Sequence, residues 1–319
     1  MIAAAEVASR RILVIRYGGF GDMILCMGAF RTIRAQYARD HVTGLTTPRF
    51  ADLLRASGYF DEVLIDERLK PWRLASWFEL ARMLRGRRFY RVFDLQRNER
   101  TAVLYRILKA GRSLEWSGVV RGCSHYVQDD PNDRRHITVR LSEQLAVAGI
   151  PEALLPDLGW LNGEADRFAL PPAYALLVPG GAPQRPEKRA PAEAFAGLAE
   201  YLAGQGITPV LLGTASERER VDAIARACPG AIDLSEQTSF GDIADLARGA
   251  VGAVGNDTGA MHLAAAAGCP SLVLFSRASD PMRVAPQGRR VRMLETETLR
   301  DLQTDRLIAA WQALVSDRD

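Results

Sequence analysis

Residues Val254–Phe275 read VGNDTGAMHLAAAAGCPSLVLF. An apolar run closes at Val254, and a glycine-containing polar turn follows. An alanine-rich helical stretch covers Thr258–Ala267, Gly268 ends it, and Ser271–Phe275 is apolar without alternation. Strands that read as unbroken apolar runs are buried on both faces, the condition of a parallel sheet covered by helices. The stretch is therefore a strand–helix–strand unit of an α/β fold. The same alternation extends outward from it. Strands are expected at Tyr174–Val178, Thr208–Leu212 and Ala250–Val254, with helices at Ala192–Ala203, Glu217–Ala227 and Thr304–Val315. In the first half, strands are expected at Arg11–Tyr17, Val42–Thr46, Glu62–Asp66 and Arg91–Leu95. Helices are expected at Met23–Ala38, Phe50–Ser57 and Trp72–Arg85. A proline- and glycine-rich break at Gly149–Pro172 divides the two series. The reading is two doubly wound α/β domains, residues 1–160 and 161–319, facing a central cleft, with the last helix free to pack back on the first domain. Ligands in such folds lie beyond the carboxyl ends of the strands.

The 319 residues are 48% apolar and 25% charged, a soluble globular profile. No apolar run approaches the roughly 18 residues of a membrane-spanning helix. No secretory h-region is expected at the start. The four cysteines, Cys26, Cys123, Cys228 and Cys269, form no CxxC pair, so small buried hydrophobes in a reducing cytoplasm are expected rather than disulfides or zinc. The acid-rich run Asp129–Asp133 reads as a polar turn, and no metal site is expected.

Four loops carry candidate chemistry. Arg16-Tyr17-Gly18-Gly19-Phe20-Gly21-Asp22 joins the first strand to the first helix. It lacks the GxGxxG spacing of a dinucleotide site, which counts against an oxidoreductase. Asp22 is either a helix cap or a carboxylate able to take a proton from a hydroxyl. Pro179–Arg189 lacks the GK[ST] of a Walker loop, yet offers backbone amides together with Arg185 and Lys188 to a diphosphate. Only three of the 41 basic residues are lysines, Lys70, Lys109 and Lys188, so each stands where arginine is the default. In Gly255–His262, Asn256 or Asp257 can cap the helix and leave the next amides for an anion, with Thr258 and His262 on one face. Glu217 is either a helix-start acid or a ribose acceptor.

ILVIRYGGFGDMIL, VPGGAPQRPEKRAP and VGNDTGAMHLAAAAGCPSLVLF, in this order, resemble the ADP-heptose:lipopolysaccharide heptosyltransferases, glycosyltransferase family nine. VTGLTTPRFADLLRASGYFDEVL is also similar to that family's first domain, so the resemblance covers most of the chain. It implies a GT-B architecture of two Rossmann-like domains, with the acceptor held by the first and a nucleotide-sugar by the second. It implies an inverting, metal-independent transferase without a cofactor. Asp22 matches the catalytic base and Lys188 the lysine on the donor phosphates. Asp257, Thr258, Gly259 and His262 match the nucleotide and phosphate motif, Glu217 the ribose acid, and Thr238 a backbone contact to the base. Gly18, Gly19 and Gly21 fall on the acceptor side. The sequence departs from the family at Arg189-Ala190-Pro191, where an aromatic commonly follows the lysine. It departs also at Gly18 and Gly19, where hydroxyl residues are usual, and at Ala260, where proline is common. The implied partners are an ADP-linked sugar and a phosphorylated, lipid-linked glycan of the lipopolysaccharide core, met in the cytoplasm at the inner face of the inner membrane. Other GT-B enzymes acting on UDP- or GDP-sugars, an epimerase, and a non-catalytic nucleotide-sugar binder are the alternatives.

The net charge of +3 hides an uneven distribution. Arg68–Arg112 holds 13 basic and three acidic residues, more than the surplus of the whole chain. Leu74, Trp77, Phe78, Ala81 and Leu84 recur there at helical spacing. The stretch is either a solvated helix face or a surface for anionic membrane. No nucleic-acid motif accompanies it.

Overall fold

The computed structural model describes residues 9–68, 74–181 and 184–316. Lys70, Trp72, the start of the expected Trp72–Arg85 helix, the side chain of Leu74, and Ala182-Pro183 lie outside the described residues. The chain divides into two compact units. One runs up to Gly18 and continues through Cys26–Asp133 and Thr138–Leu155; the other takes Gly19–Leu25, Arg134–Ile137 and everything from Pro156.

The first unit opens on β1 (Arg11–Ile15). The following segments are α1 (Phe20–Leu25), which clusters with the second unit, and α2 (Met27–Gln36). Then come β2 (His41–Thr46), α3 (Pro48–Ala56), β3 (Glu62–Ile65), α4 (Leu74–Gly86), β4 (Arg91–Asp94), α5 (Glu99–Lys109), β5 (Glu115–Gly118), β6 (His125–Tyr126) and α6 (Ile137–Val147). Its six strands are ordered β3-β2-β1-β4-β5-β6, and every pairing is parallel. The expected Met23–Ala38 helix starts earlier and is interrupted at Cys26.

The second unit runs β7 (Tyr174–Val178), α7 (Ala192–Gly204), β8 (Thr208–Leu211), α8 (Arg218–Ala227), β9 (Ile232–Asp233) and α9 (Phe240–Gly249). It continues through β10 (Gly252–Asn256), α10 (Gly259–Ala266), β11 (Ser271–Ser276), α11 (Pro281–Val284), β12 (Val291–Thr296) and α12 (Thr304–Ser316). Its strand order is β12-β11-β10-β7-β8-β9, again all parallel. Counted from its own first strand, each sheet has the order 3-2-1-4-5-6, the Rossmann arrangement. The fold is thus two Rossmann-like doubly wound units, the GT-B plan. In helix α12, Leu307, Trp311 and Leu314 are buried in the second unit's core with Phe195, Leu198 and Leu272. All four cysteines are buried, and none is in a disulfide among the described residues.

Asp94 ends β4 beside Ile15 of β1, where the first sheet's strand order reverses. It is fully buried, and one oxygen accepts from the backbone N–H of Gln96 (3.1 Å) and Arg97 (2.8 Å). The other oxygen has no partner among the described residues. Burial dominates and pushes its carboxyl up to about 6, although the two amides pull the other way. A raised folded value means stability that is whole below the ordinary carboxylate range and is lost as pH rises through about 6. Asp94→Asn keeps the amide acceptor and sheds the charge. It should therefore gain on the parent from pH 5 to pH 8, by on the order of 2 kcal/mol, read from paired urea melts.

The charged segment is more tied down than its composition implies. Arg85 donates to the carbonyl of Ile107 (2.5 Å), Arg87 pairs with Glu62, and Arg91 with Glu115. Arg100 forks onto Asp66 (2.6 and 2.7 Å) and lies 4.2 Å over the Trp77 ring. The buried stripe of α4 is Leu80 and Leu84, with Trp77 packed against them. Phe78 is not on that stripe; it is 72% exposed. At 100° per residue, Phe78 falls outside the i, i+3, i+7 line through Trp77, Leu80 and Leu84 and joins exposed Arg82 instead.

Candidate active site

In the second unit β7 lies between β10 and β8, so the loops leaving β7 and β10 diverge at the sheet's switch point. Three side chains from three loops meet there. Lys188 comes from a short 3-10 turn, Pro186–Lys188, after β7; Asp257 follows β10; Ser279 follows β11. The Lys188 ammonium donates to Asp257 Oδ2 and to Ser279 Oγ, each at 2.9 Å. Ser279 Oγ donates to the same Asp257 oxygen at 2.6 Å. His262 Nε2 stands 3.6 Å from the other oxygen. Asp257 is 8% exposed and Lys188 18%. Burial alone would raise the Asp257 carboxyl. Contacts with His262, Ser279 and Lys188 outweigh it and hold the group well below the usual carboxylate range.

The surrounding frame is built from loop-to-loop bonds. Asn256 is wholly buried. Its amide donates to the carbonyls of Pro179 (2.8 Å) and Gly180 (2.9 Å) and accepts from the Ala190 N–H (3.0 Å). Each of these groups, left unmade inside, would cost roughly 1–3 kcal/mol. Ser276 Oγ donates to the Glu187 carbonyl (3.0 Å), and Arg185 donates to the Ala278 carbonyl (2.5 Å) and to Glu187 (3.1 Å). The Lys188 turn is therefore fastened to the end of β11. Glu217 fastens the β7 and β8 loops. Its carboxylate accepts from Gly181 N–H (2.7 Å), Thr214 N–H (2.7 Å) and the Thr214 hydroxyl (2.9 Å), completing a capping box. A Cβ on Gly180 would lie 2.0 Å from that carboxylate.

Helix α10 presents its first turn beside the ion pair. The sequence reading offered Asn256 or Asp257 as its cap; the cap residue is Thr258, and its side chain makes no capping bond. Asn256 is committed to the β7 loop and Asp257 to Lys188, which is why neither serves. The Thr258 hydroxyl is buried with no partner among the described residues. Helix α1 packs on α10 in contact so close that glycines are required on both sides. A Cβ on Gly259 would fall 2.1 Å from the Phe20 ring, and one on Gly21 would fall 2.6 Å from His262 Cδ2. His262 is 4% exposed, and its Nδ1 has no partner among the described residues. Asp22 sits in the first turn of α1, next to Gly21. Gly19 (φ 23°) lies under its carboxylate, where a Cβ would come within 3.1 Å of Oδ2; Gly18 has φ 135° and abuts Phe50. The structure thus joins Asp22's helix, His262, Asp257, Lys188 and the start of α10. Thr238 stands elsewhere in the unit. It lines a cavity of about 750 Å³ with Asn162, Arg167, Gln237, Ser239 and Asp242.

The family model described as glycosyltransferase family 9 (heptosyltransferase) matches residues 77–306. The chain belongs to that family. It is a glycosyltransferase. Lipopolysaccharide heptosyltransferase 2 of Salmonella typhimurium is 24% identical over 309 residues, covering 90% of this chain and 88% of that one. A glycosyltransferase family 9 structure from Veillonella parvula superposes with a TM-score of 0.84 at 21% identity, covering 97% and 98% of the two chains. An E. coli heptosyltransferase with ADP-2-deoxy-2-fluoro heptose superposes with a TM-score of 0.74 at 18% identity, covering 95% and 99%. Both structures bear on the fold.

Sequence reading of this family 9 chain missed Ser279, Ser276 and the structural part of Asn256. A serine in a loop carries no periodic signal, and only the folded contact shows its partner. The asparagine reads as a turn residue, but its satisfied amide lets β10 run on to Asn256 instead of ending at Val254. Among the described residues, no three His, Cys, Asp or Glu side chains gather as a metal set, and no helix is long and apolar enough to cross a membrane.

Proposed function

We propose that this enzyme transfers a heptose from an ADP-linked donor to a hydroxyl of the lipopolysaccharide core or a related glycan, with inversion and without a metal or other cofactor. The observation that carries the reading is the Lys188 ammonium fixed at the switch point of the second sheet, beside the uncapped start of α10. A departing diphosphate gathers negative charge. In this reading Lys188, Arg185 and the amides of Thr258 and Gly259 meet it. Asp22 takes the proton of the acceptor hydroxyl as its oxygen bonds to the anomeric carbon. The bond from that carbon to phosphate breaks, and its electron pair leaves with the diphosphate. Glu217 and Thr238 serve the ribose and base, His262 and Asp257 hold the phosphate end, and Gly18, Gly19 and Gly21 lie on the acceptor side. The names of the relatives supply the heptose, the ADP and the lipopolysaccharide.

A thermal-shift panel of ADP-, GDP- and UDP-sugars tests the donor. ADP-sugars should raise the melting temperature most; stabilisation by NADH alone would overturn the reading.

The acceptor is lipid-linked, so we place the enzyme in the cytoplasm against the inner face of the inner membrane. Exposed Phe78 with exposed Arg82, four residues on along α4, is the face suited to anionic lipid. Co-sedimentation at low salt should be several-fold greater with anionic than with neutral vesicles and should weaken in Phe78→Ser. Equal, negligible sedimentation with both would contradict it.

A further inference from the structure

Ser279 lies outside every motif that marks the family in this sequence, yet its hydroxyl is at the centre of the charged cluster. It is buried, donates to Asp257 Oδ2 at 2.6 Å and accepts from Lys188 Nζ at 2.9 Å. An ammonium has three N–H donors. Asp257 and Ser279 take two of them at equal distance, which fixes the direction of the third. The loop that bears Ser279 is itself tied to the Lys188 turn, by Ser276 to the Glu187 carbonyl and by Arg185 to the Ala278 carbonyl. A lysine on a four-carbon stem otherwise samples many rotamers, and a cation aimed before the reaction needs no reorganisation during it. We infer that Ser279 is a positioning residue: with Asp257 it holds Lys188 so that its remaining N–H faces the donor diphosphate. This rests on the proposed transfer reaction.

The chain's three lysines make a direct test possible, since Lys188 is the only one in the second half and Lys109 is an internal reference. Brief acylation of the full-length protein, read peptide by peptide by mass spectrometry, reports how firmly each ammonium is held, without substrate. In Ser279→Ala, Lys188 should label about tenfold faster while Lys109 is unchanged; Ser279→Thr, which keeps the hydroxyl, should label as the parent does. The same Ala variant should lose about tenfold in kcat with a smaller change in donor KM, and Thr should restore it. Unchanged Lys188 labelling in Ser279→Ala would overturn the inference, as would equal labelling of the Ala and Thr variants. Adding ADP to the parent separates the two ideas. ADP should protect Lys188 further, and failure to do so overturns the proposed donor site while the labelling of the variants still judges Ser279.

Discussion

Asp22→Asn should lower sugar transfer by about 10²–10⁴-fold while leaving the affinity for ADP within about twofold of the parent. The substitution keeps the size and the hydrogen-bonding oxygen of the side chain but removes its ability to accept the acceptor's proton. Its surroundings favour a clean test. Asp22 stands in the first turn of α1, and Gly21 and Phe20 of that helix make the close approach to α10. Gly19, without a Cβ, leaves space beside Oδ2 for the change. Steady-state rates at saturating donor and acceptor supply the measurement. Transfer within a few-fold of the parent would remove Asp22 as the base.

Lys188→Ala should act on two levels. Loss of a charged donor to the diphosphate should cost about 10²–10³-fold in kcat/KM, with weaker ADP binding by calorimetry. The fold should suffer too, because Asp257 is left buried without its cation, and breaking one side of such a pair costs about 3–5 kcal/mol. The pH dependence follows from the direction of the Asp257 shift. Its folded value lies below its unfolded value, so the stabilisation is present above the ordinary carboxylate range and is lost as pH falls through the lower, folded value. The stability gap between parent and variant should therefore be flat from pH 6 to 8 and shrink below about pH 4. Lys188→Arg is not expected to restore turnover, since a planar guanidinium cannot place a point charge between Asp257 and Ser279. Unchanged ADP affinity together with unchanged turnover in Lys188→Ala would contradict the phosphate role.

Legibility in the sequence followed burial. β7 is read residue for residue, and β11 nearly so, because strands covered on both faces must be apolar throughout. β12 was missed because it is an edge strand with half-exposed side chains, and β9 because it is two residues long. α5 was hidden in the arginine-rich stretch, although Asn98 and Thr101 form a capping box at its start. Among the site residues, Asp22 and Glu217 were visible because each stands at the start of a helical turn, and Lys188 because arginine is the default cation of this chain. Their mutual arrangement was not. That Asp257 pairs with Lys188 and does not cap α10 depends on the meeting of loops 69 residues apart. Phe78 is a case where spacing alone is too coarse. The sequence groups it with Leu74, Trp77, Ala81 and Leu84 at helical spacing, and only the helix phase, set by Leu80 and Leu84, separates it from the buried stripe.

The most direct test of the central claim is the anomeric configuration of the product, followed by NMR with ADP-heptose and a lipopolysaccharide-core acceptor. One ADP should be released per glycoside formed, with the configuration at the anomeric carbon inverted relative to the donor. Retention at that carbon, or ADP release without glycoside, would contradict it.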